Sequence, residues 1–259
     1  MDITENGIVD FETYYDDEYS LRKLNPAEYI LDTRFEATGA AFYVPSSGRE
    51  AVREWVEGPD IPRYLRALGK RIPWKRRILL SHNICFDGAI LAWRYGVVPG
   101  LYIDTLGMAR AFVYPRTGSA SLDAVSRFFS LPTKDVTALV NAKGMRLADL
   151  RANPEVYRRY AAYAVMDAEL CWSAFWCMCP SMPLEEYNVM DMLARMTILP
   201  QVTLDRQVLE DSLAQIVSEK ENLLDTLVRE LPDTIMQELT NDPSYRKGLK
   251  SALMSNNVL

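Results

Sequence analysis

Histidine is nearly absent: His82 is the one example in 259 residues. Catalysis by a Ser-His-Asp or Cys-His set would have to run through that single side chain, and a histidine-rich metal centre is excluded. Cysteine is scarce too. Cys85, Cys171, Cys177 and Cys179 form no CxxC pairs with zinc-like spacing, so a reduced, cytosolic compartment is expected. There is no excess of basic residues: the net charge is −6. That argues against a protein that coats nucleic acid indiscriminately, yet leaves a nuclease open, because carboxylates that hold metal ions count as negative. No apolar run approaches the length that spans a bilayer. The amino terminus has no basic start or apolar stretch of the signal-peptide kind, and a soluble intracellular protein is expected. With so little histidine, a bound metal must rely mainly on oxygen ligands, which suits magnesium or manganese.

What is present is ordinary globular material, 49% apolar and 25% charged, enough for one large domain or two unequal ones. The first half alternates in the manner of an α/β domain. "GIVDFET" reads as a strand, and "TRFEATGAAFYVP" contains a second. "GREAVREWVEG" and "PRYLRALGKRI" carry apolar residues at helical spacing, bounded by Gly and Pro. "RILLSHN" is a short buried strand running into the helix "CFDGAILAWRYG"; "GLYIDTLGMARAF" repeats that pattern. "SLDAVSRFFSL" is helical, with Ser121 or Ser119 as N-cap. A looser segment, 132–154, precedes a long helix over about 155–176 with apolar and aromatic residues on most sides. After "CPSMP" strand signals nearly vanish, and helices are expected over about 184–196 and 205–229. This places a boundary near 183, with 1–183 as the α/β domain and 184–259 as a helical region too thin for a full core. There are no repeats or low-complexity tracts.

Three acidic clusters stand out on these elements. On a strand, Asp10 and Glu12 point the same way, and two carboxylates side by side repel unless a cation lies between them. Asp87 lies just past a strand, in the first turn of the next helix. Asp167 lies inside the most apolar helix, where a charged carboxylate is costly unless paired or metal-bound. Each has a plain structural explanation taken singly. Asp10 and Glu12 fit a solvated edge, Asp87 fits a helix N-terminus, and Asp167 fits an ion pair with an arginine such as Arg110.

Taken together, "DFET", "HNICFD" and "YAVMD" resemble the three motifs of the DEDD 3′–5′ exonucleases, which have a ribonuclease H-like fold. Asp10, Glu12, Asp87 and Asp167 match the four acids in order, at gaps of 77 and 80 residues. Tyr163, four before Asp167, places the resemblance in the tyrosine subclass; the position a histidine-type member would use is Ala162. "SLDAVSRFFSLPTKD" and "YRRYAAYAVMDAELCW" resemble the proofreading domain of family A DNA polymerases of the kind many phages encode. "MLARMTILPQVTLDRQVLEDSLAQI" resembles the segment that leads into such a polymerase.

The resemblance implies a mixed sheet flanked by helices and two divalent cations, Mg2+ or Mn2+, about 3.5–4 Å apart. It implies that Asp10 bridges both ions. Glu12 and Asp167 would complete the site of the first, and Asp87 would hold the second partly through water. Tyr163 would orient the attacking water rather than serve as a strong base, since phenols titrate near pH 10. Asn83 and Thr13 correspond to positions near the terminal nucleotides, and Phe86 would stack on a base or pack in the core. The implied reaction releases nucleoside 5′-monophosphates from a DNA 3′ end. The implied partners are a single-stranded or primer 3′ end and a DNA polymerase, in the same polypeptide or as a separate subunit, inside a bacterial cell.

Seven cations between Arg63 and Arg77, with no acid among them, fit either a phosphate-following surface or a solvated helix face. The "WCMC" aromatics and nearby cysteines read as core, His82 as a local hydrogen-bonding residue, and Asp16 and Asp17 as solvated loop. No D-Y-S-x-x-E-x-R-like palm motif or H-D-E follows, so the chain is not expected to synthesise DNA by itself; the resemblance stops mid-segment at "LMSNNVL", as in a truncated or split protein. Two other readings stand beside proofreading. One is an RNA 3′-end trimming exonuclease of the same fold. The other is a non-catalytic module that binds a primer end or a polymerase, against which the retention of all four acids and the tyrosine argues.

Overall fold

The central strand, β1 (Asn6–Thr13), alternates as its sequence requires, and the two apolar sets it separates define the two layers of the protein. The computed structural model describes residues 6–45, 51–132, 142–200 and 203–230. Ile8 belongs to one core together with Ala41, Tyr43 and Ile103, while Val9 and Phe11 belong to the other with Ala40 and Phe42. The remaining strands are β2 (Ala37–Val44), β3 (Val52–Glu57), β4 (Ile78–Ser81) and β5 (Leu101–Asp104). Their order is β3-β2-β1-β4-β5. β1, β2 and β3 pair antiparallel, while β4 and β5 run parallel to β1. This is the mixed, ribonuclease H-like sheet.

Helices cover both faces. On the Val9–Phe11 side lie α1 (Pro26–Leu31), α2 (Ile61–Arg71) and α3 (Ile84–Tyr95), with Phe11 stacked on Tyr95 at 5.8 Å between ring centroids. On the Ile8 side lie α4 (Thr105–Phe112), the single turn α5 (Tyr114–Thr117) and α6 (Leu122–Phe128), capped by Ser121. The short α7 (Leu147–Ala152) leads into the long α8 (Pro154–Met178). α8 buries a stripe of Ala164, Ala168, Cys171, Phe175 and Met178, at spacings of three and four, against β1 and β2. The small residues of that stripe let the helix axis approach the sheet closely.

Three sequence expectations change. The stretch 52–57 is the edge strand β3, not a helix: Val52, Trp55 and Val56 are strong strand formers, and β2 offers a complete antiparallel partner from Gly39↔Glu57 to Val44↔Val52. α8 is buried along one stripe rather than all round, and Trp176 and Cys177 are exposed while Met178 alone of that quartet is fully buried. Compactness also extends past the expected boundary, since one unit runs to Gln201. The helix α9 (Leu184–Ile198) belongs to it because Ala194 and Ile198 complete the Val9–Phe11 core. The rest of the looser segment, 133–141, and the carboxy-terminal 241–259 lie outside the described residues. In the second unit, 202–259, the described helix α10 (Arg206–Glu230) has Leu209, Leu213, Ile216 and Leu223 exposed. Among the described residues no helix is long and apolar enough to cross a membrane.

α9 also covers the open edge of the sheet. Asp191 accepts a 2.8 Å bond from the amide of Tyr102 on β5 and pairs with Arg195 at 2.7 Å, which in turn donates to the carbonyls of Pro99 and Gly100. Removing Asp191 leaves the buried arm of this bracket without its acceptor. Asp191→Ala should lower unfolding stability by about 1–3 kcal/mol and open the 184–200 segment to proteolysis, checked by denaturant melts and limited digestion.

Candidate active site

Asp10, Glu12 and Asp87 are placed where β1 outruns its parallel neighbour. β4 pairs with β1 through Ile8↔Leu80 and ends at Ser81, so the amides of the second half of β1 face an open notch on that side. The chain then turns through Asn83, which has a left-handed backbone (φ 83°, ψ 58°), tolerated better by asparagine than by most residues. Asp104 at the end of β5 holds this turn, its Oδ1 accepting from the amides of Asn83 (2.9 Å) and Ile84 (3.3 Å). α3 therefore starts beside the notch, and its first turn aims Asp87 into it. The Phe11 amide donates to Asp87 Oδ1 at 2.9 Å, and the Ser81 hydroxyl donates to Oδ2.

Asp87 is buried, and loss of water raises its carboxyl from the ordinary 3.8 to about 7, with the neighbouring Asp104 charge adding in the same direction. Asp10 and Glu12 lie on the opposite face of β1 from Phe11, the face α8 covers. Their cross-strand partners on β2 are Ala41 and Gly39, and the space over Gly39 is taken by the Trp55 ring. Glu12 is hydrogen-bonded by the buried phenol of Tyr160. One turn further along α8, Tyr163 bonds Asp167 and also lies within the electrostatic reach of Glu12 and Asp10. Burial comes first and these three carboxylates second in pushing the Tyr163 phenol far above its usual 10. Burial and these carboxylates favour the protonated phenol, which can donate a hydrogen bond. The buried thiol of Cys171 is raised chiefly by desolvation and further by the charges of Asp10, Asp87 and Asp104.

The structure therefore brings Asp10, Glu12, Tyr163 and Asp167 to one face, with Asp87 entering through the notch from the other. Among the described residues no three acidic, cysteine or histidine side chains converge as a ready-made cation cage. The donor set nonetheless fits a hard divalent ion, since every nearby ligand is a carboxylate oxygen. The Phe11 amide and the Ser81 hydroxyl orient Asp87, and the phenols of Tyr160 and Tyr163 orient Glu12 and Asp167.

Beyond Glu12 the site opens into a cavity of about 690 Å³ lined by Glu12, Thr13, Phe86, Tyr29, Leu21 and Lys143, among others. Thr13 is engaged with Tyr29 (Oγ1···Oη 2.8 Å), whose phenol donates to the Tyr14 carbonyl at 2.6 Å. Phe86 is half-buried, 6.1 Å from the Tyr29 ring, and available at the cavity wall. Asn83 is exposed, at the head of α3 rather than in the lining.

Asp16 and Asp17 do more than the sequence showed. Asp16 organises the loop by accepting from the amides of Glu18 (2.8 Å) and Tyr19 (2.6 Å) and from the Tyr14 phenol, and Asp17 pairs with Lys143 across the cavity rim. His82 Nδ1 lies 3.1 Å from Thr105 Oγ1, a local bond. Within the cationic run, Arg77 is structural: it is buried and donates to the carbonyls of Leu68 (2.9 Å) and Ile72 (3.1 Å). Sequence reasoning missed Tyr160, Thr38, Ser81 and Tyr29. Tyr160 carried a signal, lying three before Tyr163 and hence on the same helix face; the other three carried none.

No family model matches the chain, and no curated protein matches it in sequence. Among solved structures it is similar to Brucella melitensis NrnC, at 14% identity and a TM-score of 0.37, over 78% of this chain and 89% of that one.

The raised Asp87 sets a pH dependence. Between the ordinary carboxylate range and about pH 7, unfolded chains have released this proton while folded chains keep it. The unfolded state then binds fewer protons, so this group makes stability fall as pH rises through that window. In a chelator, the melting temperature should decline from pH 5 to pH 8, and Asp87→Asn should flatten that decline.

Proposed function

We propose that the protein is a metal-dependent exonuclease that hydrolyses the terminal phosphodiester at a polynucleotide 3′ end. The observation that carries this reading is the meeting of Asp10, Glu12, Tyr163 and Asp167 on one face of the sheet with Asp87 at the notch, beside an open cavity. Asp10, Glu12 and Asp167 would hold one divalent ion, and Asp10 with Asp87 a second. Bound cations would activate a water and stabilise the departing 3′ oxygen. The protein's own part is positional. Tyr160 and the Phe11 amide fix two of the carboxylates. The protonated Tyr163 phenol is at hand to hold the attacking water by a hydrogen bond without removing its proton. Phe86, half-buried at the cavity wall, would stack on the terminal base, and Thr13 lies beside Glu12 where the 3′ end would rest.

Nothing in this arrangement distinguishes ribose from deoxyribose, so DNA proofreading and RNA 3′-end trimming are two forms of one reading. The role beside a polymerase rests on sequence resemblance alone. Labelled single-stranded DNA and RNA oligonucleotides, incubated in parallel with magnesium, separate the two by which strand shortens from its 3′ end. Asp10→Ala should lose about 10³-fold or more in rate, and Tyr163→Phe only about 10–10²-fold, because the phenol orients rather than reacts. Absence of 3′ shortening of either strand by the wild type overturns the catalytic reading.

A further inference from the structure

The antiparallel pairing of β1 with β2 slips by one residue at the acidic end. Glu12 pairs with Gly39 and Thr13 with Ala37, leaving Thr38 as the extra residue of a β-bulge. Bulges re-aim side chains, and this one turns a buried threonine hydroxyl back toward β1. Thr38 Oγ1 donates to the carbonyl of Glu12 at 3.0 Å and lies 3.1 Å from the Tyr160 phenol. Thr38 has one hydroxyl proton, and the Glu12 carbonyl takes it. The 3.1 Å contact is then a hydrogen bond with the Tyr160 phenol as donor, its proton shared between Thr38 Oγ1 and the Glu12 carboxylate, the stronger acceptor because it is charged.

Tyr160 is itself fixed. It is buried, with the Trp55 ring set edge-on at 5.8 Å, and Trp55 in turn fills the space above Gly39, where a Cβ would meet the indole at 2.1 Å. The backbone and side chain of Glu12 are thus each held by a hydroxyl, and the two hydroxyls touch each other.

We propose that Tyr160 and the bulged Thr38 form a positioning clamp that sets the Glu12 carboxylate for cation binding. The inference rests on the metal-dependent reading above. Neither residue is catalytic, since both act through Glu12.

The test is Mn2+ binding to the full-length protein by calorimetry, without nucleic acid, alongside thermal unfolding. Tyr160→Phe removes one oxygen and should weaken Mn2+ binding by about 10–100-fold, the usual cost of losing a residue that orients a ligand. Thr38→Val should weaken it in the same direction and guards against a folding defect in the first variant. Tyr157→Phe is the control: its phenol donates to Glu57 at 2.6 Å and accepts from Trp55 at 2.8 Å, so it removes a hydroxyl from the same helix away from Glu12. It should bind Mn2+ as the wild type does. Wild-type affinity in folded Tyr160→Phe and Thr38→Val overturns the clamp while leaving the exonuclease reading standing. An equal loss in Tyr157→Phe also overturns it, by showing a general effect of α8. Failure of the wild type to bind Mn2+ overturns the metal reading and the clamp with it.

Discussion

The bond from the Phe11 amide to Asp87 is the constraint around which the site is arranged. β4 is only four residues long, so β1 runs on past Ser81 with amides that no parallel strand reaches. A buried amide left without an acceptor costs about 1–3 kcal/mol, and Asp87 removes that cost at one position. The same bond pins the first turn of α3 to the sheet and carries a carboxylate from the Val9–Phe11 layer into the notch beside Asp10. Ser81, at the tip of the short strand, supplies the second hydrogen bond to the same carboxylate. Lengthening β4 by two residues would satisfy the amides of β1 and close the notch. The brevity of that strand is therefore part of the site.

A second irregularity mirrors the first across β1. On the β4 side the sheet ends early; on the β2 side it gains the residue Thr38. Regular pairing on both sides would leave Asp10 and Glu12 in an unbroken ladder, with α8 packed directly over them. The bulge instead brings hydroxyls to the carbonyl and carboxylate of Glu12. The small residues Gly39 and Ala41 keep the space above the strand open enough for Trp55 and the tyrosines of α8. Both departures from regular geometry fall within a few residues of the acids.

The strand β1 was legible, and so was the placement of Asp10 and Glu12 on the face opposite Phe11, because side chains alternate along a strand with period two. The helix after "RILLSHN" and its end at Gly96 were legible from composition, and Gly96 does take the left-handed conformation of a helix stop. β3 was not legible. Its apolar residues fall at spacings that satisfy a helix as well as a strand, and only the availability of β2 as a partner decides between them. α9 escaped the expected boundary for a similar reason: strand signals cease at 183, but Ala194 and Ile198 still belong to the core that the strands began. Thr38, Ser81 and Tyr29 were invisible because their roles depend on register and on where strands stop, which no local pattern encodes. Asp16 was misread because a loop aspartate looks the same in sequence whether it is solvated or caps the turn that carries it.

The distribution of partners separates two kinds of acid. At the periphery, acids take cations: Glu36 with Arg146, Glu57 with Arg151, Glu169 with Arg53, and Asp17 with Lys143. At the site, the partners described include an amide, two phenols and a serine hydroxyl. Each is a neutral donor, which holds a carboxylate oxygen by a directed bond without adding a charge of its own. Burial makes the charged form of such a carboxylate costly, and Asp87 accordingly keeps its proton to a higher pH than a solvated aspartate does. A bound divalent cation would reverse that preference, because a nearby positive charge favours the ionised carboxylate.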